Sequence, residues 1–278
     1  MTPGQAPGIN LFALPALLLR ELWAYRGFIW ASVQREWRAR YLGSQFGLAW
    51  AIIHPFALIL LYTLVFAKLM HPQLAGYPGP FAYSIYLCAG LLTWNLFSEL
   101  LGRSVGIFVN NANLLKKLSF PKLSLPMIAT LSSLLHYAIT LGLFLGLLSI
   151  IGQFPGWVVL AVVPVLLVLI LFTLGLGLLA GLIDVFYRDV EQLIALVLQF
   201  WFWLTPIVYV PAILPAGLQD LLALNPLQPL IFAMHAILLE HQLPNWLSLI
   251  YPACLALGLL ALGLRVYQRL GPELVDEL

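Results

Sequence analysis

The chain carries the segment Asp184-Val185-Phe186-Tyr187-Arg188-Asp189-Val190-Glu191 between two long apolar runs. Residues 157–183 and 193–210, on either side of this segment, contain no Asp, Glu, Lys, Arg or His. A charged side chain at the centre of a bilayer costs roughly 2.5 to 3.5 kcal/mol on insertion scales, so the segment is predicted to join two membrane spans outside the lipid. Because apolar side chains accompany the charges, two interpretations stay open: a plain solvated loop, or an element that docks on another protein.

Composition places the whole chain in the membrane class. Of its 278 residues, 62% are hydrophobic and 9% are charged, whereas soluble domains average about 25% charged residues. Residues 1–19 contain no Lys or Arg, so we expect no cleaved signal peptide. Cys88 and Cys254 lie in separate apolar runs without a Cys-x-x-Cys pattern, which argues against a disulfide framework or a metal cluster.

Apolar runs of the length that a bilayer requires predict an all-α integral membrane protein with six transmembrane helices. The predicted spans are residues 46–67, 81–101, 125–151, 157–183, 193–210 and 246–264. Residues 212–243 contain several prolines, and their longest apolar run has 13 residues, which suits re-entrant helices better than a span. The predicted organisation is therefore a lead-in and interfacial helix at residues 1–44, followed by a transmembrane domain at residues 45–278.

The distribution of basic residues predicts the orientation. Six spans with a cytoplasmic N-terminus place every Lys and Arg except Lys68 on the inner side, as the positive-inside rule requires. A seventh span at residues 227–239 would move Arg265 and Arg269 to the outer side, and it is rejected for that reason. Both termini are therefore predicted to be cytoplasmic.

A helix lying in the inner headgroup layer is predicted before the first span. Apolar and aromatic side chains recur at steps of three and four between Leu19 and Tyr41, which is helical spacing. Indole prefers the membrane interface and Arg attracts anionic lipid, which favours an interfacial helix over a soluble helix packed on a core. The residues assigned to this interfacial helix are Trp23, Trp30, Trp37, Arg35, Arg38 and Arg40.

Few residues could support chemistry inside the membrane. The spans offer His54, His136 and, at the end of the second span, Glu99, which is spaced to pair with Arg103. A proton relay would need more ionisable groups in the spans, so both histidines are interpreted as structural. The chain has no Gly-x-x-x-x-Gly-Lys-Ser/Thr motif, so any energy from ATP must come from a partner subunit.

Aromatic residues are concentrated in two spans, and two interpretations remain open. The rings either form interface belts and lipid-facing surface, or line a conduit along which the apolar faces of sugar rings can slide. The candidate conduit residues are Tyr83, Tyr86, Trp94, Phe97, Phe200 and Trp203.

Several segments together resemble a known family. They are residues 41–50 (YLGSQFGLAW), 113–121 (NLLKKLSFP), 184–190 (DVFYRDV), 204–209 (LTPIVY) and 224–227 (LNPL). In this order, after a helix rich in Trp and Arg, they are similar to the permease subunits of ABC exporters for bacterial polysaccharides: O-antigen, capsule and wall teichoic acid. The resemblance covers nearly the whole chain.

The resemblance implies a homodimer of six-span permeases in the cytoplasmic (inner) membrane, bound to two copies of a separate ATPase subunit. ATP and Mg would lie on that partner, with no cofactor in this chain and no nucleic-acid partner. The substrate would be a lipid-linked polysaccharide, with O-antigen the first choice, entering from the membrane lipid. The implied ATPase-coupling residues are Asn113, Lys116, Lys117, Asp184, Tyr187, Arg188 and Asp189. The implied outer-gate residues are Pro215, Gly217, Asn225 and Pro226.

A dimer also follows from composition, since six spans with so few polar positions cannot enclose a polar polymer, whereas a two-fold pair can build one path between them. The alternatives are a capsule or teichoic acid exporter, an exporter of small hydrophobic compounds, and a membrane-bound transferase.

Overall fold

The computed structural model describes residues 20, 23–41, 46–65, 79–117, 120–211, 214–271 and 274–277. Within these ranges every regular element is a helix. The predicted lead-in before Arg20, the predicted outer loop with Lys68 and residues 42–45 of the resemblance motif lie outside the described residues.

The described α-helices, in chain order, are α1 (Arg26–Tyr41), α2 (Trp50–Leu64), α3 (Ala82–Val105), α4 (Ile107–Asn110), α5 (Ala112–Lys117), α6 (Ser124–Ile150), α7 (Val162–Phe186), α8 (Val190–Trp203), α9 (Ala216–Ala223), α10 (Leu227–Leu238), α11 (Ile250–Leu270) and α12 (Leu274–Glu277). Short 3₁₀ helices at Gly47–Ala49, Gly156–Ala161 and Trp246–Leu249 lead directly into α2, α7 and α11.

The chain is an all-α, multi-pass membrane protein. Four described helices are long and apolar enough to cross a bilayer: Ala82–Val105, Ser124–Ile150, Gly156–Phe186 and Trp246–Leu270. They lie at the positions of the second, third, fourth and sixth predicted spans. At the position of the first, the described residues give α2 a length of 15, and at the position of the fifth α8 has 14, both shorter than the roughly 20 that a span needs. The total of six spans therefore stays a prediction.

Four predicted boundaries are corrected by the structure. Helix α3 continues to Val105 and α11 to Leu270, both beyond their predicted ends. The polar stretch after α3, predicted as a loop, contains α4 and α5. Asp184, Val185 and Phe186 complete the last turn of α7, so the charged segment is non-helical only at residues 187–189.

The fifth predicted span ends earlier than expected. Helix α8 stops at Trp203 instead of continuing to Val210. Pro206 explains the end, because proline has no amide hydrogen and its ring clashes with the carbonyl group four residues earlier in a helix. The predicted span is therefore a 14-residue helix followed by an irregular segment.

Helix α7 is the centre of the bundle, and glycines set its distance from its neighbours. A Cβ atom on Gly175 would lie 2.6 Å from the Leu260 amide nitrogen in α11. On the α3 side, a Cβ atom on Gly177 would lie 2.5 Å from the Ser104 Cβ, and one on Gly181 would lie 2.6 Å from the Ser104 carbonyl oxygen. Small residues let membrane helices approach at the level of the backbone. Both close crossings therefore depend on these glycines.

Helices α9 and α10 fill the predicted re-entrant stretch. The chain bends by 91° between Gly217–Ala223 and Leu227–Leu238, which is the geometry of a broken span or a re-entrant pair. Helix α10 is largely buried, with Leu230, Met234 and Ile237 in the main core, whereas the side chains of α9 are mostly exposed.

Candidate functional site

The two predicted coupling segments belong to one end of the bundle. Residues from α4 and α5 share an apolar cluster with the end of α7 and the start of α6, and the C-terminal α12 packs on it. The buried members are Ile107, Phe108, Leu115, Leu123, Leu125, Ala129, Leu178, Leu182, Val185 and Leu274. The structure thus brings together two segments about 70 residues apart in sequence, which the sequence could predict only through the resemblance.

Most of the predicted coupling side chains are exposed around this cluster. Asn113, Lys116 and Lys117 are exposed on α5. After α7, Tyr187 is 70% exposed, and Arg188 and Asp189 are also exposed. We call this set of five charged or polar residues and one tyrosine the coupling surface.

Asp184 does not belong to the coupling surface. Its side chain is 2% exposed, and its Oδ1 accepts a hydrogen bond from the Glu191 amide at 3.2 Å. Glu191 is in the first turn of α8, where amide groups have no partner within the helix. The implied coupling role of Asp184 is therefore corrected: it joins the end of α7 to the start of α8.

Helix α1 packs on the bundle along one side. Ile29 and Val33 are buried against Ile128 of α6, and Trp37 is partly buried against the same cluster. Trp23 and Trp30 are exposed, as are Arg35, Arg38 and Arg40. The predicted tryptophan stripe is thus divided, with Trp37 used for packing and the other two available to the headgroup layer.

A polar network fixes the second half of α1. Arg103 of α3 donates to Glu36 at 2.6 Å, and Ser132 of α6 donates to the other oxygen of the same carboxylate. Glu99 lies 3.1 Å from the His136 Nδ1, 3.5 Å from Arg40 and 3.7 Å from Arg103. The predicted Glu99–Arg103 pair is present, and His136 supports it as a structural residue. The network therefore joins α1 to both α3 and α6.

The predicted conduit aromatics fall into two groups. Tyr86, Trp94 and Phe97 are buried in the core of the protomer, so they present no surface to a conduit in this structure. Tyr83 is partly buried, and its hydroxyl donates to the Val208 carbonyl at 2.6 Å. In contrast, Phe200 and Trp203 on α8 are 65% and 62% exposed. These two are the most exposed of the six candidates, and the conduit assignment stays a prediction.

Tyr86 holds the irregular segment that follows α8. Its hydroxyl lies 3.1 Å from the Pro206 carbonyl and 2.9 Å from the Tyr209 carbonyl. The His235 ring of α10 stacks on Tyr86 with ring centroids 3.9 Å apart, and its Nε2 donates to the Tyr86 carbonyl at 3.0 Å. Sequence reasoning did not single out His235, although a buried histidine in a short apolar helix was a signal that such a partner exists.

Asn225 lies at the bend between α9 and α10 and is hydrogen-bonded on both sides of its amide. Its Oδ1 accepts from the Trp201 Nε1 and from the Leu227 amide, each at 3.0 Å. Its Nδ2 donates to the Leu204 carbonyl at 3.1 Å and to the Thr205 hydroxyl at 2.9 Å. One side chain therefore connects the end of α8 to the bend between α9 and α10.

The remaining predicted gate residues surround the same bend. Pro226 immediately precedes α10, while Pro215 and Gly217 are exposed at the start of α9. Tyr251, at the start of α11, donates to the Leu224 carbonyl at 2.9 Å. The bend is thus attached to both α8 and α11, whereas α9 projects with most of its side chains exposed.

Comparisons with known proteins agree over most of the chain. A family model described as ABC-2 type transporter matches residues 28–239. The O-antigen export system permease protein RfbA of Myxococcus xanthus is 32% identical over 263 residues, covering 94% of this chain and 99% of that protein. A Klebsiella pneumoniae protein with the same name is 25% identical over 238 residues, covering 85% of this chain and 89% of that protein. The polysialic acid transport protein KpsM of Escherichia coli is 23% identical over 235 residues, covering 84% of this chain and 90% of that protein.

The family match covers more than half of the chain, and it includes the coupling segments, α8 and the bend at Asn225. The RfbA relative extends the similarity to nearly the full length of both proteins. The chain belongs to the ABC-2 type transporter family.

Proposed function

We propose that this chain is the channel-forming permease subunit of an ATP-driven exporter that moves lipid-linked O-antigen across the inner membrane. The observation that carries the proposal is the end-to-end similarity to a protein named as an O-antigen export permease, at 32% identity. Because the chain contains no P-loop, a separate ATPase subunit binds ATP and Mg. The weaker similarity to a polysialic acid transport protein makes a capsular polysaccharide the second candidate cargo.

The coupling surface supports the partnership with an ATPase. Tyr187 presents a large amphipathic ring, and Arg188 beside it can form bidentate hydrogen bonds. Tyr and Arg are enriched among the residues that contribute most to protein–protein affinity. Leu115 and Val185 below the surface are buried in one cluster, so movement of the docked ATPase would reach α5 and α7 together.

Helix α8 supports a homodimer. One face of the helix packs on the protomer core through Trp201 and Phe202, but none of its residues is fully buried, and Phe200 and Trp203 are largely exposed. Its exposed residues also include Gln192 and Gln199, whose amides gain nothing from contact with hydrocarbon. A second copy of the chain, with a polar path between the two, would cover these amides and place both aromatic rings beside the path.

The distribution of basic residues supports the orientation. Lys116, Lys117 and Arg188 of the coupling surface lie at the same end of the bundle as Arg269, near the end of α11. Basic residues are retained on the cytoplasmic side of bacterial inner membranes. The coupling surface and both termini therefore face the cytoplasm, where an ATPase can bind.

The direct test is reconstitution of the chain with its cognate ATPase in proteoliposomes that contain lipid-linked O-antigen. We expect ATP-dependent appearance of the polymer on the side opposite the ATPase, and no transport when the ATPase carries an inactivating substitution in its P-loop. Transport of a capsular polymer but not O-antigen would select the second cargo. Polymer synthesis from a labelled sugar donor without the ATPase would replace the transport proposal with a transferase.

A further inference from the structure

A cavity with a mixed polar and apolar lining lies between α1 and the coupling end of the bundle. Its volume is about 480 Å³, far more than the roughly 30 Å³ that one water molecule occupies in the liquid. Residues of α1 form one wall, and residues of α3, α4, α5 and α6 form the others. Its polar lining consists of Ser32, Arg35, Glu36, Arg103, Asn110 and Asn111.

The side chains that line the cavity carry a net positive charge. Its ionisable lining groups are Arg35, Arg103 and Glu36. Glu36 is already paired with Arg103 at 2.6 Å, and Ser132 donates to its second oxygen. Among the described residues, Arg35 makes no ion pair, and its Nη2 donates to the Ser32 hydroxyl at 3.3 Å. One guanidinium charge is therefore uncompensated at the cavity.

The opposite wall carries amide groups. Asn110 is exposed at the end of α4, and Asn111 is partly buried beside it. The Asn111 Nδ2 donates to the Ile107 carbonyl at 2.8 Å, which leaves its Oδ1 directed away from that bond. A ligand between the walls would thus meet a guanidinium from α1 and an amide from α4. A phosphodiester with an adjacent hydroxyl matches this set, because its anionic oxygens accept from Arg and amide groups while the hydroxyl donates to an amide oxygen.

The position of the cavity indicates where such a phosphodiester comes from. Trp30 of α1 and Trp23, just before it, are exposed, and exposed indoles on a helix that also carries Arg favour a position at headgroup depth. Basic pockets between membrane helices on the cytoplasmic side bind anionic lipid headgroups.

We propose that this cavity is a site for the headgroup of an anionic glycerophospholipid, held by Arg35 and Asn110. A bound headgroup connects α1 to α4, which continues through α5 into the coupling surface. The lipid therefore stabilises the position of the coupling surface against α1. Lipid binding at this site requires only the chain in a membrane or detergent. The proposal can therefore be tested independently of which polymer is transported.

Lipid binding to the purified full-length chain tests this proposal. Native mass spectrometry would compare phosphatidylglycerol with phosphatidylcholine carrying the same acyl chains. We expect tighter binding of phosphatidylglycerol, and a loss of affinity of about tenfold in Arg35→Gln, which removes a charge-assisted hydrogen bond. Arg38→Gln is the matched control, since Arg38 is one turn further along α1 and outside the cavity lining. It should change the affinity less than twofold.

Asn110→Asp tests the opposite wall without altering α1. The added carboxylate repels the phosphate, so we expect a loss at least as large as that of Arg35→Gln. Equal losses in Arg35→Gln and Arg38→Gln would reduce the site to a general basic surface and overturn the proposal. Displacement of phosphatidylglycerol by millimolar inorganic phosphate would show a free-phosphate site instead of a lipid site. Loss of phosphatidylglycerol on binding of the ATPase subunit would identify the cavity as a protein contact and also overturn the proposal.

Discussion

Replacement of Gly181 by alanine tests the close crossing of α7 and α3. The added Cβ would lie 2.6 Å from the Ser104 carbonyl oxygen and 3.1 Å from the Val105 carbonyl oxygen. Ordinary contacts begin at 3.4 Å, so the shorter contact requires the two backbones to separate by about 0.8 Å. Neither obstacle is a side chain that can rotate away. We therefore expect the cost of overpacking, about 1–3 kcal/mol.

Alanine also has a better helix propensity than glycine, which returns up to about 1 kcal/mol. Subtracting this return leaves an expected net destabilisation of roughly 0–2 kcal/mol, or up to about 8 °C in the midpoint of thermal unfolding. Gly146→Ala in α6 is the matched control, because a Cβ there meets no atom within 4 Å. Both variants would be heated in the same detergent while monomeric and aggregated protein are separated by size. Equal midpoints for Gly181→Ala and Gly146→Ala would refute the claim that α7 and α3 are in backbone contact at this crossing.

Three further predictions concern the coupling surface and the outer segment. Arg188→Ala should leave the chain inserted in the membrane but lower stimulation of the ATPase in the reconstituted complex several-fold. Arg269, also exposed but outside the coupling surface, is the control, and Arg269→Ala should not lower the stimulation. Equal stimulation in wild type and Arg188→Ala would remove Arg188 from the docking site. Asn225→Ala deprives the Trp201 Nε1 and the Leu227 amide of their acceptor, so it should lower the free energy of unfolding by roughly 2–4 kcal/mol. Asn245→Ala, which removes the acceptor of the Leu247 amide, should cost about 1 kcal/mol, and equal losses would show that Asn225 is an ordinary cap. In a chain without Cys88 and Cys254, cysteines at the exposed Gly217 and Gln242 should react with an impermeant thiol reagent from the outside; reaction from the cytoplasmic side alone would overturn the topology. Gln242 is preferred to His241, because His241 has a φ of 55° and donates to the Gln153 carbonyl.

Local composition was sufficient to predict the membrane class and most of the long helices. The length of an apolar run and the charged residues at its ends can be read from neighbouring residues alone. They decide which segment can enter the hydrocarbon core, because charged side chains are costly there. The spans at α3, α6, α7 and α11 were therefore found within a few residues, and the prolines between Pro211 and Pro229 indicated two short helices where α9 and α10 form a bent pair.

The predicted end of a span was wrong where backbone carbonyl groups accept hydrogen bonds from side chains far away in the sequence. Pro206 ends the helix, and the conformation of the irregular segment that follows is held by Tyr83 and Tyr86, more than 100 residues earlier, which donate to its carbonyl groups. Apolar periodicity contains no signal for such a pair, so span five was extended through the segment. The same tyrosines were assigned to a conduit because a helical face alone does not show what packs against it.

The sequence by itself determined that this protein is an α-helical membrane protein, because hydrophobic length and charge placement are properties of consecutive residues. Only the tertiary structure decided that Asp184 is buried while Arg188 is exposed, that α8 has no fully buried residue within the protomer, and that Arg35 and Asn110 line one cavity. The physical reason is that burial and charge balance depend on which helices meet. In this chain the meeting points are set by a few glycines that allow backbone contact and a few polar side chains that find partners far along the sequence.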